Sequence, residues 1–223
     1  FNRVSIREWN AAISLIWRGR DGGSFYFKPL VESFEVENVS DRFINILPSN
    51  ASLFEKQTYA GAEVNYSFKN KDDASYPTMG LDVGLTAGYK ANIDGGDTDN
   101  KFGYVKPYVA IDHRLNKSAS LVLATKLGGE AILGDDFELY HAAQLGGGHS
   151  LRGFRKERFT GKYSLYQNTD LRLQLGKFKT SVIPLKYGIT GGFDYGRVWV
   201  DDDTSDKWHN SVGGSFWISG LET

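Results

Sequence analysis

The residues best equipped for chemistry lie together in one segment, Leu145 to Tyr163, which reads LGGGHSLRGFRKERFTGKY. It sets Arg152, Gly153 and Phe154 inside a run of glycines and cations. An arginine guanidinium is permanently charged and presents a planar fork of donors suited to two-point pairing with a carboxylate. Gly146 to Gly148 and Gly153 permit close backbone approaches that a side chain would obstruct. Two residues suffice to join antiparallel strands, and loops much beyond about a dozen residues are usually functional or disordered. A loop of this length therefore needs an explanation.

Other chemistries are less well served. Ser150 follows His149, but adjacency in sequence is not a catalytic dyad, and no G-x-S-x-G motif surrounds the serine. His113, His141, His149 and His209 are scattered without ligand spacing, and cysteine is absent, which removes thiolate zinc sites, disulfides and cysteine nucleophiles. No catalytic constellation is expected in this chain, and no cofactor. The acidic stretches Asp94 to Asn100 and Asp201 to Asp206 offer oxygens to calcium, yet neither has EF-hand spacing, and a solvated outer loop is the preferred reading. A net charge of −1 gives no basic groove and no nucleic-acid partner. No apolar run reaches the roughly eighteen residues of a membrane helix, and no signal peptide opens the chain. Its start at Phe1-Asn2-Arg3 is that of a mature or excised piece of something longer.

The elements that must position these residues are strands. From Met79 to Tyr89, Met79, Leu81, Val83, Leu85, Ala87 and Tyr89 alternate with Gly80, Asp82, Gly84, Thr86 and Gly88. Ala60, Ala62, Val64, Tyr66 and Phe68 oppose Gly61, Glu63, Asn65, Ser67 and Lys69 in the same way. Ala119, Leu121, Leu123, Thr125 and Leu127 oppose Ser120, Ala124, Lys126, Gly128 and Glu130. Tyr163, Leu165, Leu171, Leu173 and Leu175 oppose Ser164, Asn168, Asp170, Arg172 and Gln174. Less regular segments near 3–18, 24–37, 102–115, 185–200 and 211–219 bring the count to nine strands.

Several strands exceed the five or six residues usual in soluble sheets. The short connections at 19–23, 70–77, 116–118 and 177–183 alternate with longer, polar ones at 39–57, 93–100, 134–162 and 201–209. That pattern predicts an all-β, antiparallel transmembrane barrel of the bacterial outer-membrane type, with short turns on the periplasmic side. Trp17, Tyr89, Trp199 and Trp217 would then belong to the interface belt or the wall. A soluble sandwich or lipocalin-like ligand-binding barrel is the competing fold. Bacterial single-chain outer-membrane barrels generally have an even strand count, so an odd count implies a barrel incomplete at one or both ends.

The pieces LGGGHSLRGF, YQNTDLRLQL, GGFDYGRVW and WHNSVGGSFWIS, in this order and spacing, resemble the carboxy-terminal barrel of the BamA/TamA superfamily of outer-membrane protein assembly factors. The resemblance runs from about residue 100 onward and is most specific from Leu145 to Ser219. It implies a single barrel domain over residues 1–223, with the loop at 134–162 folded back into the lumen. It further implies that Arg152, Gly153 and Phe154 form a lock with acids on the inner wall. Alternation independently places Asp170, Asp194 and Glu130 on the polar face. The implied function is insertion, assembly or translocation of proteins at the bacterial outer membrane. Its partners would be outer-membrane lipids, unfolded outer-membrane proteins or a secreted passenger, and periplasmic modules or lipoproteins. Related chains with similar YQNTDLRLQLGKF segments fuse the barrel to a phosphoesterase or lipase domain, which makes a membrane anchor or channel the alternative. The chain departs from the family in ending at Leu221-Glu222-Thr223 rather than at an aromatic residue, and no periplasmic module is visible in it.

Overall fold

A computed structural model describes residues 5–37, 54–94, 100–148, 150–179, 184–201 and 204–220. In chain order the strands are β1 (Ile6–Ala12), β2 (Leu15–Arg18), β3 (Gly23–Val36), β4 (Gln57–Lys71), β5 (Gly80–Asn92), β6 (Lys101–Arg114), β7 (Leu121–Leu133), β8 (Ala143–Leu145), β9 (Phe159–Gly161), β10 (Tyr163–Lys179), β11 (Pro184–Trp199) and β12 (His209–Gly220). One antiparallel sheet runs β1-β3-β4-β5-β6-β7-β10-β11-β12, with β2 also on β3, while β8 and β9 pair apart from it. Apart from β1 and β2, the sheet's strands are 12 to 17 residues long, enough to cross a bilayer when tilted.

The expected strand near 3–18 is split, for a local reason. Ala12 stands opposite Leu30 and Leu15 opposite Phe27, so β1 and β2 keep one register along β3. The gap lies opposite Pro29, which has no N–H to give, although its carbonyl still accepts from Ile13 N–H at 3.2 Å. β1 and β2 thus occupy one position in the wall, and the nine expected strands are present. Among the described residues the sheet does not close, and β1 and β12 are its free edges.

Two strand boundaries differ from the sequence reading. Ala119 has a φ of +53° and belongs to the turn, so β7 starts two residues later. Met79 precedes β5, its carbonyl accepting from Asp72 N–H at 3.1 Å. The turn expected at 177–183 is entered later, because β10 runs to Lys179, and 180–183 lie outside the described residues.

The two faces are distinct. Phe25, Tyr66, Leu81, Leu85, Tyr89, Ile111, Leu127, Leu171, Ile189, Phe193 and Phe216 are exposed on the outer face. A continuous apolar surface of this size is a liability in water and a match to lipid. The inner face carries the charges, each placed by alternation. Lys28 meets Glu63 at 2.6 Å, Lys90 meets Glu32 at 2.5 Å, and Lys71 and Arg172 share Asp112 at 2.9 and 3.3 Å. Trp217, placed by its sequence position in the belt or wall, lies on this inner face and packs against Tyr76 with ring centroids 4.3 Å apart.

Glycines make room for aromatics across the inner face. Gly84 faces Tyr108, Gly88 faces Tyr104, Gly128 faces Tyr166 and Gly188 faces Trp217 on neighbouring strands. A Cβ at Gly88 would lie 2.4 Å from Tyr104 Cζ, and the Tyr104 hydroxyl donates to Glu63 at 2.7 Å. Ring over glycine is the arrangement that rescues weak strand positions. Gly88→Val should therefore cost about 1–3 kcal/mol by overpacking and lower the temperature at which the folded form converts to the unfolded one in heat-modifiability electrophoresis. Gly213→Val, where nothing lies within 4 Å, should leave that temperature essentially unchanged.

Candidate functional site

The long connection between β7 and β10 is a folded unit. The β8–β9 pair closes its base, with Ala143 opposite Gly161 and Leu145 opposite Phe159. Leu145 and Leu151 are fully buried, and both reach Gly196 on β11, where a Cβ would come within 3.2 Å of each. The Ser150 hydroxyl accepts from Gly146 N–H at 2.9 Å, and the Asn168 side-chain amide donates to the Ser150 carbonyl. Ser150 is therefore engaged in shaping the loop, while His149 lies outside the described residues. Gly146, Gly147 and Gly153 have φ of +125°, +81° and +87°, the region where a side chain is strained.

This framework aims Arg152 at two strands at once. Its backbone N–H donates to Asp194 Oδ2 at 2.7 Å, and Nε donates to Oδ1 and Oδ2 of the same carboxylate at 3.0 and 2.9 Å. Nη2 donates to Asp194 Oδ1 at 2.5 Å and to Asp170 Oδ1 at 2.8 Å. Asp194, on β11, is 1% exposed, whereas the Arg152 side chain is 40% exposed along its open flank. The two carboxylates, Asp194 foremost, hold the guanidinium proton more tightly than usual. Asp170 stands opposite Gly192, and a Cβ there would lie 2.8 Å from Asp170 Oδ1 and 3.0 Å from Arg152 Nη2. Gly192 is thus the gap through which one guanidinium bridges two strands, and only its place between the two acids in the folded sheet marks it.

Phe154 and Phe159 extend the contact to the next strand. Phe159 stacks on His209 of β12 at 3.7 Å, and Phe154 packs edge-on against Phe159 at 5.1 Å. One loop therefore touches β10, β11 and β12. Glu130 is on the inner wall as alternation requires, but it meets Lys106 at 2.7 Å, while the carboxylates bonded to Arg152 are Asp170 and Asp194. The register on either side of Pro107 puts Lys106 directly opposite Glu130, and that nearer cation takes it. Of the acidic stretches, 95–99 and 202–203 lie outside the described residues, and Asp94 accepts from Thr58 N–H while Asp206 meets Arg197 at 3.2 Å.

A second feature of the same connection escaped the sequence reading. Tyr140 and His141, within a 3-10 turn at Leu139–His141, and Phe137 just before it pack on Phe34, Tyr59 and Phe102. His141 Nε2 lies 2.8 Å from Glu32, whereas Nδ1 is buried and has no partner among the described residues. Burial pushes the imidazole below its usual range, and the pull of Glu32 does not restore it. Neighbouring Glu138 is pushed up by burial.

These features coincide with a known family. A sequence model of the Omp85 superfamily domain matches residues 10–219, and the chain belongs to that superfamily. The crystal structure of BamA from Haemophilus ducreyi lacking POTRA domains 1–3 has a similar fold, with a TM-score of 0.73 at 15% identity. That match covers 99% of this chain and 52% of the other, so the chain spans about half the length of that protein. No curated protein matches the chain.

Arg152→Ala should strand the buried Asp194 and destabilise the fold by about 3 kcal/mol, near the low end for a broken buried pair because the guanidinium is partly open to solvent. Limited proteolysis should then cut between Arg155 and Arg158, where the wild type resists. The His141 contact should respond to pH. A base whose folded pKa is depressed stabilises above its unfolded pKa of about 6.5, and that stability is lost as pH falls below it. The amide protection factors of His141 and Ala142, whose N–H groups donate to Glu138 and Leu139, should fall from pH 7.5 to pH 5.5. His141→Gln should remove that fall, leaving only the opposite trend from Glu138.

Proposed function

We propose that residues 1–223 form one barrel domain of a bacterial outer-membrane protein that inserts or translocates other proteins. In this reading the 134–162 connection lies in the lumen and Arg152, Gly153 and Phe154 lock it to the wall. The observation that carries the reading is the double pairing of Arg152 with Asp170 and Asp194, next to contacts with β12. A loop that only shielded a pore would need no tie to the last strands of the sheet. Membership of the superfamily and the outer apolar face support a place in the outer membrane, with lipids as one partner and unfolded barrel proteins or a secreted passenger as the other. The residues act by holding and releasing structure, so no covalent step is required of them.

The test is reconstitution of the full-length protein in liposomes with an unfolded outer-membrane barrel as substrate. Acceleration of substrate insertion, lowered about tenfold by Arg152→Ala, equivalent to about 1.4 kcal/mol in the barrier, is the expected result. No acceleration by the wild type would instead favour the anchor or channel role.

A further inference from the structure

The turn between β4 and β5 is more heavily built than a connection requires. The Asp72 carboxylate accepts from Thr78 N–H at 2.8 Å, the Thr78 hydroxyl at 2.5 Å and Met79 N–H at 3.1 Å. The Asp73 carboxylate accepts from Ser75 N–H and Tyr76 N–H, both at 2.8 Å. These bonds fix the backbone that projects Tyr76, which is only 8% exposed. Its ring packs at a tilt of 32° against Trp217 of β12, with centroids 4.3 Å apart, and lies under the Arg172 guanidinium of β10 at 5.8 Å. Arg172 is held by Asp112, which also takes Lys71 at the foot of the turn.

The contact spans the interior. From β4 to β12 the sheet takes six steps, about 29 Å along the wall at the usual strand spacing. Tyr76 bridges that separation directly, so the turn crosses the mouth of the curled sheet on the side of the short connections. It also supplies β12 with a second attachment. Among the described residues that strand is hydrogen-bonded to β11 alone, and its outward residues Val212, Phe216 and Ile218 are exposed. Phe159 on His209 pins one end from inside, Tyr76 on Trp217 pins the other, and nothing lies within 4 Å of where a Cβ would stand at Gly213 between them.

The lower pin is built to let go. The Tyr76 hydroxyl and Trp217 Nε1 are both buried without a hydrogen-bond partner among the described residues. Closing the pair strands two polar atoms, and separating the rings returns both to partners. We propose that the β4–β5 turn is a releasable latch. Tyr76 on Trp217 closes the turn-side mouth and restrains the turn-side end of β12, and its release loosens that end.

The test is hydrogen–deuterium exchange of the full-length protein in detergent micelles, read at the amides of Ile218 to Gly220. Tyr76→Ala should raise exchange there about tenfold, a local opening easier by about 1.4 kcal/mol, with no change in β6 or β7. Tyr76→Phe keeps the ring and removes the orphaned hydroxyl, so exchange should equal the wild type or fall below it. Asp73→Ala loosens the turn without touching Trp217 and should raise exchange by a smaller factor, which carries the test should Tyr76→Ala fail to fold. Unchanged exchange at Ile218 to Gly220 in folded Tyr76→Ala or Asp73→Ala would overturn the latch. Insertion activity does not enter this readout, so the latch and the proposed function stand or fall separately.

Discussion

One guanidinium shared by two carboxylates on adjacent strands organises the loop side of this wall. Arg152 reaches Asp194 through its backbone N–H, Nε and Nη2, and Asp170 through Nη2. A charge as deeply buried as Asp194 persists only when it is paired and hydrogen-bonded. The carboxylate therefore needs the loop as much as the loop needs an anchor. Once Arg152 is fixed, Leu151 is buried over Gly196 and Phe159 is carried to His209, so the loop's remaining contacts follow from that one.

The rest of the inner face obeys the same constraint at smaller scale. Its cations and anions pair across one strand step, as in Lys28 with Glu63 and Lys106 with Glu130, or across two, as in Lys90 with Glu32, and its tyrosines lie over glycines, so a crowded polar interior forms without clashes. The outer face needs no such matching, because apolar side chains can meet lipid singly. The wall is thus strict inside and permissive outside. Even inside, the crowding is local: a Cβ at Gly88 or Gly192 would meet a neighbouring side chain, while Gly213, opposite Gly192 on the same face, meets nothing within 4 Å among the described residues.

Period-two alternation made most of this legible in the sequence. It assigned Asp170, Asp194 and Glu130 to the inner face and Leu165 and Leu171 to the outer one, since side-chain direction depends only on position along a strand. Partner choice was not legible, because it depends on register between strands distant in sequence. Glu130 meets Lys106 for that reason, and Gly192 gains its role only beside Asp170. Local exceptions were hidden too. Ala119 adopts a positive φ in a turn, and Pro29 interrupts a ladder without shifting it. Trp217 looked like a belt residue, but its facing direction is set by its pairing with Gly188, which leaves space for the indole inside.

An anchored loop that also packs on β12 couples the interior of the wall to that strand. What loosens Arg152 loosens the inner support of β12 as well, through Phe154, Phe159 and His209. The most direct test of that central pair is a double-mutant cycle between Arg152→Ala and Asp194→Ala, read from reversible unfolding in detergent. The pair's geometry predicts a coupling energy of about 2 kcal/mol or more, within the range found for residues in one ion-pair network. Single and double variants whose effects simply add would contradict it.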